Sequence, residues 1–522
     1  MRPHDDDCDD LYRDVREHVR DDSWDDRRTG RAGGGDRAMI EMTLAEVAAV
    51  TGGTLHGVSD EQAAVPVTAV EFDSRKAGPG ALFLALPGER ADGHDFAAGA
   101  VTRGATGVLA GRPVDAPAVV APPAEVRDAH TYLGSVDPDG HGAAVLAALG
   151  RLARHVLGAL PGLAVVGVTG SAGKTSTKDL LAAVLAPLGR TVAPPESFNN
   201  ELGTPWTALR ADAATRHLVL EFSARGAGHI AALCAVAPPR IGVVLNVGSA
   251  HLGEFGSRAG IAAAKGELVE ALPPGDLPGG RGGVAVLNAD DELVLAMRSR
   301  TPARVVTFGR SAGADVRAED ETLDAGRPSF RLVTPAGSAP VSLRLVGAHQ
   351  VSNALAAAAV ALELGGTPEG IAEALSAAGP ASRWRMEVTD RADGVTVVND
   401  AYNANPEAMR AALSALASVA GPDRRAWAVL GPMAEIGDGA AEAHADTTRR
   451  ARDAGVARVV AVGAPDYGDG AEHVGDVGAA LDLLRAELAP GDVVLVKASR
   501  SAGLERIAAG LLGHDAEGLV RR

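Results

Sequence analysis

The chain has 522 residues, more than one ordinary domain accommodates, so two or three domains are expected. Its apolar content of 46% is typical of a soluble globular protein, and its formal net charge is −17. Because a nucleic-acid-binding protein usually carries a basic surface, this acidic charge argues against a nucleic-acid partner.

The chain opens with a polar segment followed by a compact one. Residues 1–38 are crowded with Asp and Arg and lack apolar periodicity, so we interpret them as a disordered tail or as sequence that precedes the natural start near Met39. From 39 to 160, short apolar strands joined by Gly/Pro turns predict a small α/β domain. Its first helix is expected to begin after Thr43, because Glu46 completes a capping box.

Two further domains follow. From 161 to 381, apolar runs such as LAVVGVT and RIGVVLNV alternate with helical stretches, which is typical of a mainly parallel sheet with helices on its faces. From 382 to 522 the alternation restarts with the predicted strands VTVVND, AWAVLG, ARVVAVG and DVVLVKAS, and it indicates a Rossmann-like domain. Ligands of such sheets bind beyond the carboxyl ends of the strands.

A glycine-rich turn, TGSAGKTSTK, lies between an apolar strand and a helix. Gly170 and Gly173 let the backbone approach an anion, and the N-terminus of the helix faces it. Lys174 is predicted to reach the β/γ-phosphates, and the Thr175 hydroxyl is predicted to bind Mg²⁺. Val168 stands where the generic pattern has Gly, so this is the shorter TGxxGKT form. The predicted ATP-binding residues of the loop are Thr169, Gly170, Ser171, Ala172, Gly173, Lys174, Thr175 and Ser176.

A phosphate loop alone does not define a reaction, because motors, kinases, GTPases and ligases share it. Further segments together with this loop resemble the Mur ligases, the ATP-dependent amide-forming enzymes of peptidoglycan precursor synthesis. They are SFNNELGTP at 197–205, LEFSARGAGHI at 220–230, LNVGSAHLGEFGS at 245–257, AAAKGEL at 262–268 and GAHQVSNALAAAA at 347–359. Departures from the usual family residues occur at Phe222, Ser223, Gln350 and Pro432.

The resemblance extends over nearly the whole chain from Met39 and implies an α/β protein of three domains. These are a small N-terminal UDP-binding domain, a central P-loop ATPase domain with a mainly parallel sheet, and a C-terminal Rossmann-like domain. Residues 1–38 are left outside, and the expected boundaries are 39–160, 161–381 and 382–522.

One segment indicates which substrate is used. NDAYNANPEAM at 399–409 resembles the segment of the family members that add D-alanyl-D-alanine. The resemblance therefore implies ATP-dependent ligation of D-alanyl-D-alanine to UDP-N-acetylmuramoyl-tripeptide through an acyl phosphate. Two alternatives stay open: the sister ligase that adds the third amino acid, and a non-catalytic P-loop nucleotide-binding protein.

The resemblance also implies catalytic and metal-binding roles. The catalytic residues would be Lys174, Glu221, His251 and Lys265. Two Mg²⁺ ions would be held by Thr175, Glu221, His251 and, if carbamylated, Lys265. Carboxylate and carbamate oxygens suit Mg²⁺, whereas the imidazole of His251 is an unusual ligand. Without the resemblance, Glu221 is interpreted as a solvated strand end, His251 as a structural histidine, and Lys265 as a surface residue of a helix.

The remaining ligand contacts also follow from the resemblance. Asn353 would contact adenine, Arg385 the ATP phosphates and Asp400 the ribose. The implied substrate-binding residues are Ser74, Arg75, Gly93, His94, Asn199, Asn200, Tyr402, Asn403, Asn405, Lys497, Ser499 and Arg500. Structural alternatives stay open, because Arg385 and Asp400 also suit an ion pair between domains, and Asn403 and Asn405 also suit a turn.

Location and assembly are predicted from what the sequence lacks. Cys8 and Cys234 do not have metal-ligand spacing, which fits free thiols in a reducing cytoplasm. No apolar run reaches the length of a membrane span and no signal peptide is apparent, so a cytoplasmic protein without a membrane partner is expected. No interface signature is apparent, and a monomer is expected. Since the substrates would bind to different domains, we predict a closing motion with its hinge near 379–385.

Overall fold

The computed structural model describes residues 39–124, 133–248, 255–277, 282–434 and 436–513. The predicted N-terminal tail, 1–38, lies outside these ranges. The chain divides into two compact units, and the described part of the first contains residues up to Gly167 together with Gly189–Arg240. The second contains Val168–Leu188 and the chain from Ile241 onward. Both units combine helices with largely parallel strands, which confirms the predicted α/β class.

Short strands build the N-terminal part of the first unit. They are β1 (Met42–Thr43), β2 (Thr54–His56), β3 (Pro66–Val67), β4 (Ala69–Glu71), β5 (Ala81–Leu84), β6 (Gly107–Ala110) and β7 (Ala118–Val120). Five of them form a sheet of order β2-β7-β6-β5-β4, in which β4 to β7 are parallel and β2 is antiparallel. Every residue of β5 and β6 is buried, as expected for central strands of a parallel sheet. Strands β1 and β3 pair separately.

The helices of this part are α1 (Leu44–Thr51), α2 (Asp60–Ala63), α3 (Ala97–Thr102), α4 (Leu133–Val136) and α5 (His141–Gly158). Thr43 caps α1, and the side chains of Thr43 and Glu46 form the capping box that the sequence predicts. Gly52, with φ of 67°, ends the helix. Helix α5 is long and amphipathic, and its fully buried face includes Leu149 and Leu152.

Strand β8 (Ala164–Thr169) is buried throughout and contains the division between the units. It leads into α6 (Lys174–Leu185) of the second unit. The chain then returns to the first unit with β9 (Thr191–Val192), α7 (Gly203–Ala208), β10 (His217–Glu221) and α8 (His229–Val236). Strands β9 and β10 are parallel, and β10 is buried up to its last residue.

A mixed sheet occupies the first part of the second unit. Its strands are β11 (Ile241–Val244), β12 (Val284–Asn288), β13 (Arg304–Gly309), β14 (Val316–Asp324), β15 (Arg327–Thr334) and β16 (Gly337–Ser342). Strands β11 to β14 are parallel, and β14 to β16 extend the sheet as antiparallel hairpins. The accompanying helices are α9 (Arg258–Glu270), α10 (Glu292–Leu295), α11 (His349–Glu363) and α12 (Pro368–Ala377).

The C-terminal part of the second unit is a doubly wound sheet. Its strands are β17 (Glu387–Asp390), β18 (Thr396–Asn399), β19 (Ala426–Leu430), β20 (Arg458–Val462), β21 (Glu472–Val474) and β22 (Val493–Lys497). Their order is β17-β18-β22-β19-β20-β21, and only β17 is antiparallel to its neighbour. Its helices are α13 (Pro406–Ala420), α14 (Ala440–Asp453), α15 (Val477–Glu487) and α16 (Glu505–Leu511). Separate apolar clusters cover the two faces of this sheet, which confirms the predicted Rossmann-like domain.

Candidate active site

The phosphate loop joins β8 to α6, and its path requires two glycines. Gly173 precedes α6 with φ of 86°, a left-handed conformation that favours glycine. A Cβ on Gly173 would lie 2.6 Å from Oδ1 of Asn353, and one on Gly170 would lie 2.9 Å from Cβ of Leu245. The helix α6 therefore begins directly after a turn whose glycines allow an anion to approach the backbone closely.

The first two side chains of α6, Lys174 and Thr175, contact the phosphate loop and an arginine from the segment before β17, respectively. Nζ of Lys174 donates to the carbonyl of Gly170 at 2.7 Å. Thr175 is buried, and its Oγ1 accepts a hydrogen bond of 3.3 Å from Nη2 of Arg385. The structure thus brings together the residues predicted to bind phosphate and Mg²⁺, namely Lys174, Thr175 and Arg385.

Lys265 lies in the middle of α9 and is 5% exposed, which excludes the interpretation as a surface lysine. Desolvation holds the pKa of Lys265 well below its ordinary value, and the charge of Lys174 lowers it further. The neutral amine is the form that reacts with CO₂. Burial therefore favours the carbamate that the resemblance implies, and a carbamate with the Thr175 hydroxyl supplies the oxygen ligands that Mg²⁺ prefers.

Of the other two predicted metal ligands, Glu221 and His251, only Glu221 lies within the described residues. Glu221 ends β10 and is fully buried, so it is not a solvated strand end. His251 lies outside the described residues. Within the described ranges, no group of three or more His, Cys, Asp or Glu side chains could hold a metal ion.

The predicted adenine contact, Asn353, lies on α11 and faces α6. Its Oδ1 accepts from Oγ1 of Thr177 at 3.2 Å, and its Nδ2 donates to Oε1 of Gln350 at 2.9 Å. Gln350, which replaces the more usual family residue, is therefore a direct partner of Asn353. The bond to Thr177 holds α11 against the phosphate-loop helix, and the contact of Asn353 with adenine stays a prediction.

A buried ion pair joins the carboxyl ends of two neighbouring strands. Asp400 follows β18, and its Oδ2 lies 2.6 Å from Nζ of Lys497 at the end of β22. Nζ of Lys497 also donates to the carbonyl of Asn403 at 2.8 Å. Burial lowers the pKa of Lys497, and the charge of Asp400 opposes that effect. The other carboxylate oxygen of Asp400 accepts from the main-chain N–H of Met386. Asp400 thus fastens the linker that carries Arg385.

The YNANP segment supplies one stacking residue and one helix cap. The Arg385 guanidinium lies 3.9 Å from the ring centroid of Tyr402, which is buried. Asn405 caps α13 by accepting from the N–H of Ala408 at 2.9 Å, and its contact with substrate stays a prediction. Asn403 is exposed, and its Oδ1 accepts from the N–H of Ala404.

Ser499 and Arg500 follow β22 and are buried. Oγ of Ser499 accepts from the N–H of Ala434 at 2.8 Å. Arg500 lies over the ring of Trp384 at 4.2 Å and pairs with Glu505 at 3.1 Å. Both residues therefore support the same edge of the C-terminal sheet, and their contact with substrate stays a prediction.

In the N-terminal domain, His94 and Gly93 have structural surroundings. Nδ1 of His94 lies 2.6 Å from Oδ1 of Asp92, and Nε2 accepts from the N–H of Gly111 at 3.0 Å. Desolvation lowers the pKa of His94, in accord with a neutral ring that donates through Nδ1. A Cβ on Gly93 would lie 2.5 Å from the carbonyl oxygen of Leu86, so this glycine is required by close packing.

The other predicted substrate-binding residues of the first unit form hydrogen bonds within the protein. Arg75 is exposed and forks onto Asp73, with bonds of 3.0 and 2.9 Å. The carbonyl of Ser74 accepts from Nε of Arg103. Oδ1 of Asn200 accepts from the N–H of Gly203 at the start of α7. The carbonyl of the neighbouring asparagine, Asn199, accepts from Ser223.

Two features of the site were missed by sequence analysis. Phe72, Phe198 and Trp206 form one aromatic cluster, with ring centroids 5.2 to 6.0 Å apart, beside the predicted UDP-binding segment. Their concentration in a chain with 3% aromatic residues is a signal that could have been used. Asn246, two residues after the end of β11, contacts the phosphate loop. Its position beyond the carboxyl end of a parallel strand also marked it.

The loop, the helix behind it and the sheet order define a P-loop nucleotide-binding protein with a Rossmann-like C-terminal domain. Family models match three successive parts of the chain. They are described as "Mur ligase family, catalytic domain" (residues 66–156), "Mur ligase middle domain" (168–361) and "Mur ligase, glutamate ligase domain" (384–500). The chain belongs to the Mur ligase family, and the three models follow the predicted order of domains.

Similar proteins carry a more specific name. UDP-N-acetylmuramoyl-tripeptide–D-alanyl-D-alanine ligase from Mycobacterium tuberculosis is 54% identical over 517 residues, covering 92% of this chain and 100% of that protein. The ligase of the same name from Escherichia coli is 35% identical, covering 90% and 98%. Crystal structures of MurF from Acinetobacter baumannii and of MurF from Thermotoga maritima in complex with ADP give TM-scores of 0.78 and 0.68. The A. baumannii structure is 30% identical in sequence, and the match covers 91% of this chain and 100% of that one. The T. maritima structure is 29% identical, and the match covers 86% of this chain and 97% of that one.

Proposed function

We propose that this chain joins D-alanyl-D-alanine to UDP-N-acetylmuramoyl-tripeptide, with ATP as the energy source. The geometric observation that supports the use of ATP is that Lys174, Thr175 and Arg385 lie together where the glycine-rich loop enters α6. Full-length similarity at 54% identity to ligases of that name supports the choice of substrates.

The chemistry follows from the poor reactivity of a carboxylate. A terminal carboxylate oxygen of the tripeptide attacks the γ-phosphorus of ATP, and ADP leaves with the electrons of the broken P–O bond. The amine of D-alanyl-D-alanine then attacks the acyl carbon, an amide forms, and inorganic phosphate and a proton are released. Lys174 and Arg385 offset the negative charge that develops on the phosphates during the first step, the transfer of the γ-phosphoryl group.

Mg²⁺, as two ions, would supply Lewis-acid stabilisation of the phosphate oxygens. We assign its ligands on this chain to the hydroxyl of Thr175, the carboxylates of Glu221 and of a carbamylated Lys265, and His251. The carbamate forms when neutral Nζ of Lys265 bonds to the carbon of CO₂ and a proton is released. The lowered pKa of Lys265 supports this assignment, because it supplies that neutral amine.

The three domains divide the substrates between them in this proposal. Residues 39–160 bind the UDP end through Ser74, Arg75 and the surroundings of His94, residues 161–381 bind ATP, and 382–522 bind the dipeptide. The protein would act as a cytoplasmic monomer. Within the described chain, no helix is long and apolar enough to cross a membrane.

Phosphate release from ATP tests the proposal directly. Purified protein is expected to release phosphate with UDP-N-acetylmuramoyl-tripeptide only when D-alanyl-D-alanine is present, and Lys174→Ala should lower this rate at least about 100-fold. Release with UDP-N-acetylmuramoyl-dipeptide and a diamino acid instead would identify the sister activity. Nucleotide binding without release in either mixture would identify a non-catalytic protein.

A further inference from the structure

Both polar atoms of the Asn246 carboxamide form hydrogen bonds with the main chain of one residue of the phosphate loop. Its Oδ1 accepts from the main-chain N–H of Ala172 at 2.9 Å, and its Nδ2 donates to the carbonyl of Ala172 at 3.0 Å. Ala172 lies between the two glycines that shape the loop. A carboxamide is suited to this task because it presents one acceptor and one donor side by side.

Neighbouring bonds extend the contact to the rest of the loop tip. The N–H of Ser171 donates to the carbonyl of Asn246 at 3.1 Å, and the N–H of Gly248 donates to Oγ of Ser171 at 2.9 Å. Ser171 and Ala172 therefore bond to residues 246–248 through four hydrogen bonds. These bonds fix the position of the loop tip relative to residues 246–248.

The segment after β11 is itself held by three other elements. Oδ2 of Asp291, at the start of α10, accepts from the N–H of Val247 at 2.8 Å, and Nη2 of Arg258 in α9 donates to its carbonyl at 2.7 Å. Nδ2 of Asn288, the last residue of β12, donates to the carbonyl of Leu245 at 2.8 Å. The segment is thus a fixed support rather than a second flexible loop.

We propose that Asn246 is a positioning residue that holds the phosphate loop in its anion-binding shape before ATP arrives. This inference rests on the proposed use of ATP at this loop. A turn with glycines at both ends has many accessible conformations, and fixing them during binding would weaken the affinity for nucleotide. The two bonds from Asn246 remove that freedom in advance, so nucleotide binding benefits from a preformed loop.

The isosteric change Asn246→Asp gives the sharpest test. The aspartate keeps the acceptor for the N–H of Ala172 but places a second oxygen against its carbonyl. We expect affinity for ADP, measured by calorimetry, and KM for ATP to worsen about 10- to 100-fold. The KM values for the UDP-linked peptide and the dipeptide should change less than about twofold, because neither binds at this turn.

Two further variants keep the test decisive. Asn246→Ala removes both bonds without adding a charge, and it carries the test if the aspartate variant fails to fold. Gln62→Glu makes the same amide-to-acid change at an exposed helix cap of the first unit, and it should leave every constant unchanged.

The outcomes separate this inference from the proposed function. Weaker nucleotide binding at an unchanged melting temperature supports the positioning role. Unchanged nucleotide binding in both Asn246 variants overturns it, as does a parallel rise in all three KM values with a lower melting temperature. If the unaltered protein binds neither ATP nor ADP, the proposed function itself fails.

Discussion

At the scale of single residues, burial determines what Lys265 can do. In the unfolded chain this lysine titrates near its ordinary pKa of 10.5, whereas desolvation in α9 holds its folded-state pKa well below that value. Between the two pKa values the unfolded chain binds more protons than the folded chain. The free energy of unfolding therefore rises with pH across this window.

We therefore predict a pH-dependent difference between the unaltered protein and Lys265→Met. In CO₂-free buffer, the unaltered protein should gain stability relative to the variant as pH rises toward 10.5, by at most about 1.4 kcal/mol per pH unit. Urea unfolding at a series of pH values measures this. Adding bicarbonate should not remove this pH dependence, because a carbamate on the folded chain is unprotonated whereas the amine of the unfolded chain still binds a proton. A difference that is constant with pH would contradict the prediction.

At the scale of elements, the helix that carries Lys265 depends on an arginine from outside it. Arg300 ends a 3₁₀ helix, Ala296–Arg300, and donates to the carbonyls of Ala262 and Ala263 at 3.0 and 2.8 Å. Its guanidinium lies against Gly266, where a Cβ would be 1.9 Å from Nη1. The glycine in mid-helix is explained by this contact.

Gly266→Ala is consequently predicted to destabilise the protein by about 1–3 kcal/mol, although alanine normally favours a helix interior over glycine by about 1 kcal/mol. Arg300→Ala should also destabilise, and adding it to Gly266→Ala should recover part of the loss, because the new methyl group then has space. Urea unfolding of the four proteins gives the coupling energy. A neutral or stabilising Gly266→Ala would show that Arg300 moves aside freely.

Elements differ in how far the sequence predicts them. Parallel strands such as β19 and β22 are buried on both faces, so they appear as continuous apolar runs and were predicted. Strands β15 and β16 bury only one face, and buried residues alternate with exposed ones along them. Their antiparallel extension of the sheet was therefore not predicted. The place of Asn405 before Pro406 is typical of a helix start, and the structure uses its side chain as the cap of α13.

At the scale of the whole molecule, lysine usage contained a signal that sequence analysis did not use. Five of the 50 basic residues are lysines, at positions 76, 174, 178, 265 and 497. Lys178, Lys265 and Lys497 are buried, and Lys174 lies on the phosphate loop. Because most basic positions in this chain are arginines, these four lysines mark places suited to a compact ammonium or a neutral amine. Contacts such as that of Asn246 required the fold, because they join residues 74 positions apart.

Lys178 and Asp179 connect the phosphate-loop helix to the linker before the C-terminal domain. Its Nζ lies 2.6 Å from Asp179 and donates to Oγ of Ser382 at 3.2 Å, while Asp179 accepts from the N–H of Ser382 at 3.1 Å. Four residues later, Met386 is bonded to Asp400 of the C-terminal sheet. The linker is therefore fastened at both ends to different elements.

We place the hinge in residues 382–386, which include both anchors and overlap the predicted range 379–385. Trp384 and Met386 have φ of 55° and 52°, a left-handed backbone that costs about 1 kcal/mol or more per residue. Small-angle scattering should show a smaller radius of gyration with ATP analogue and UDP-linked peptide together than with either alone. Lys174→Ala, which weakens the hold on nucleotide, should not compact, and an unaltered protein that keeps one radius under all conditions would remove the basis for closure about this linker.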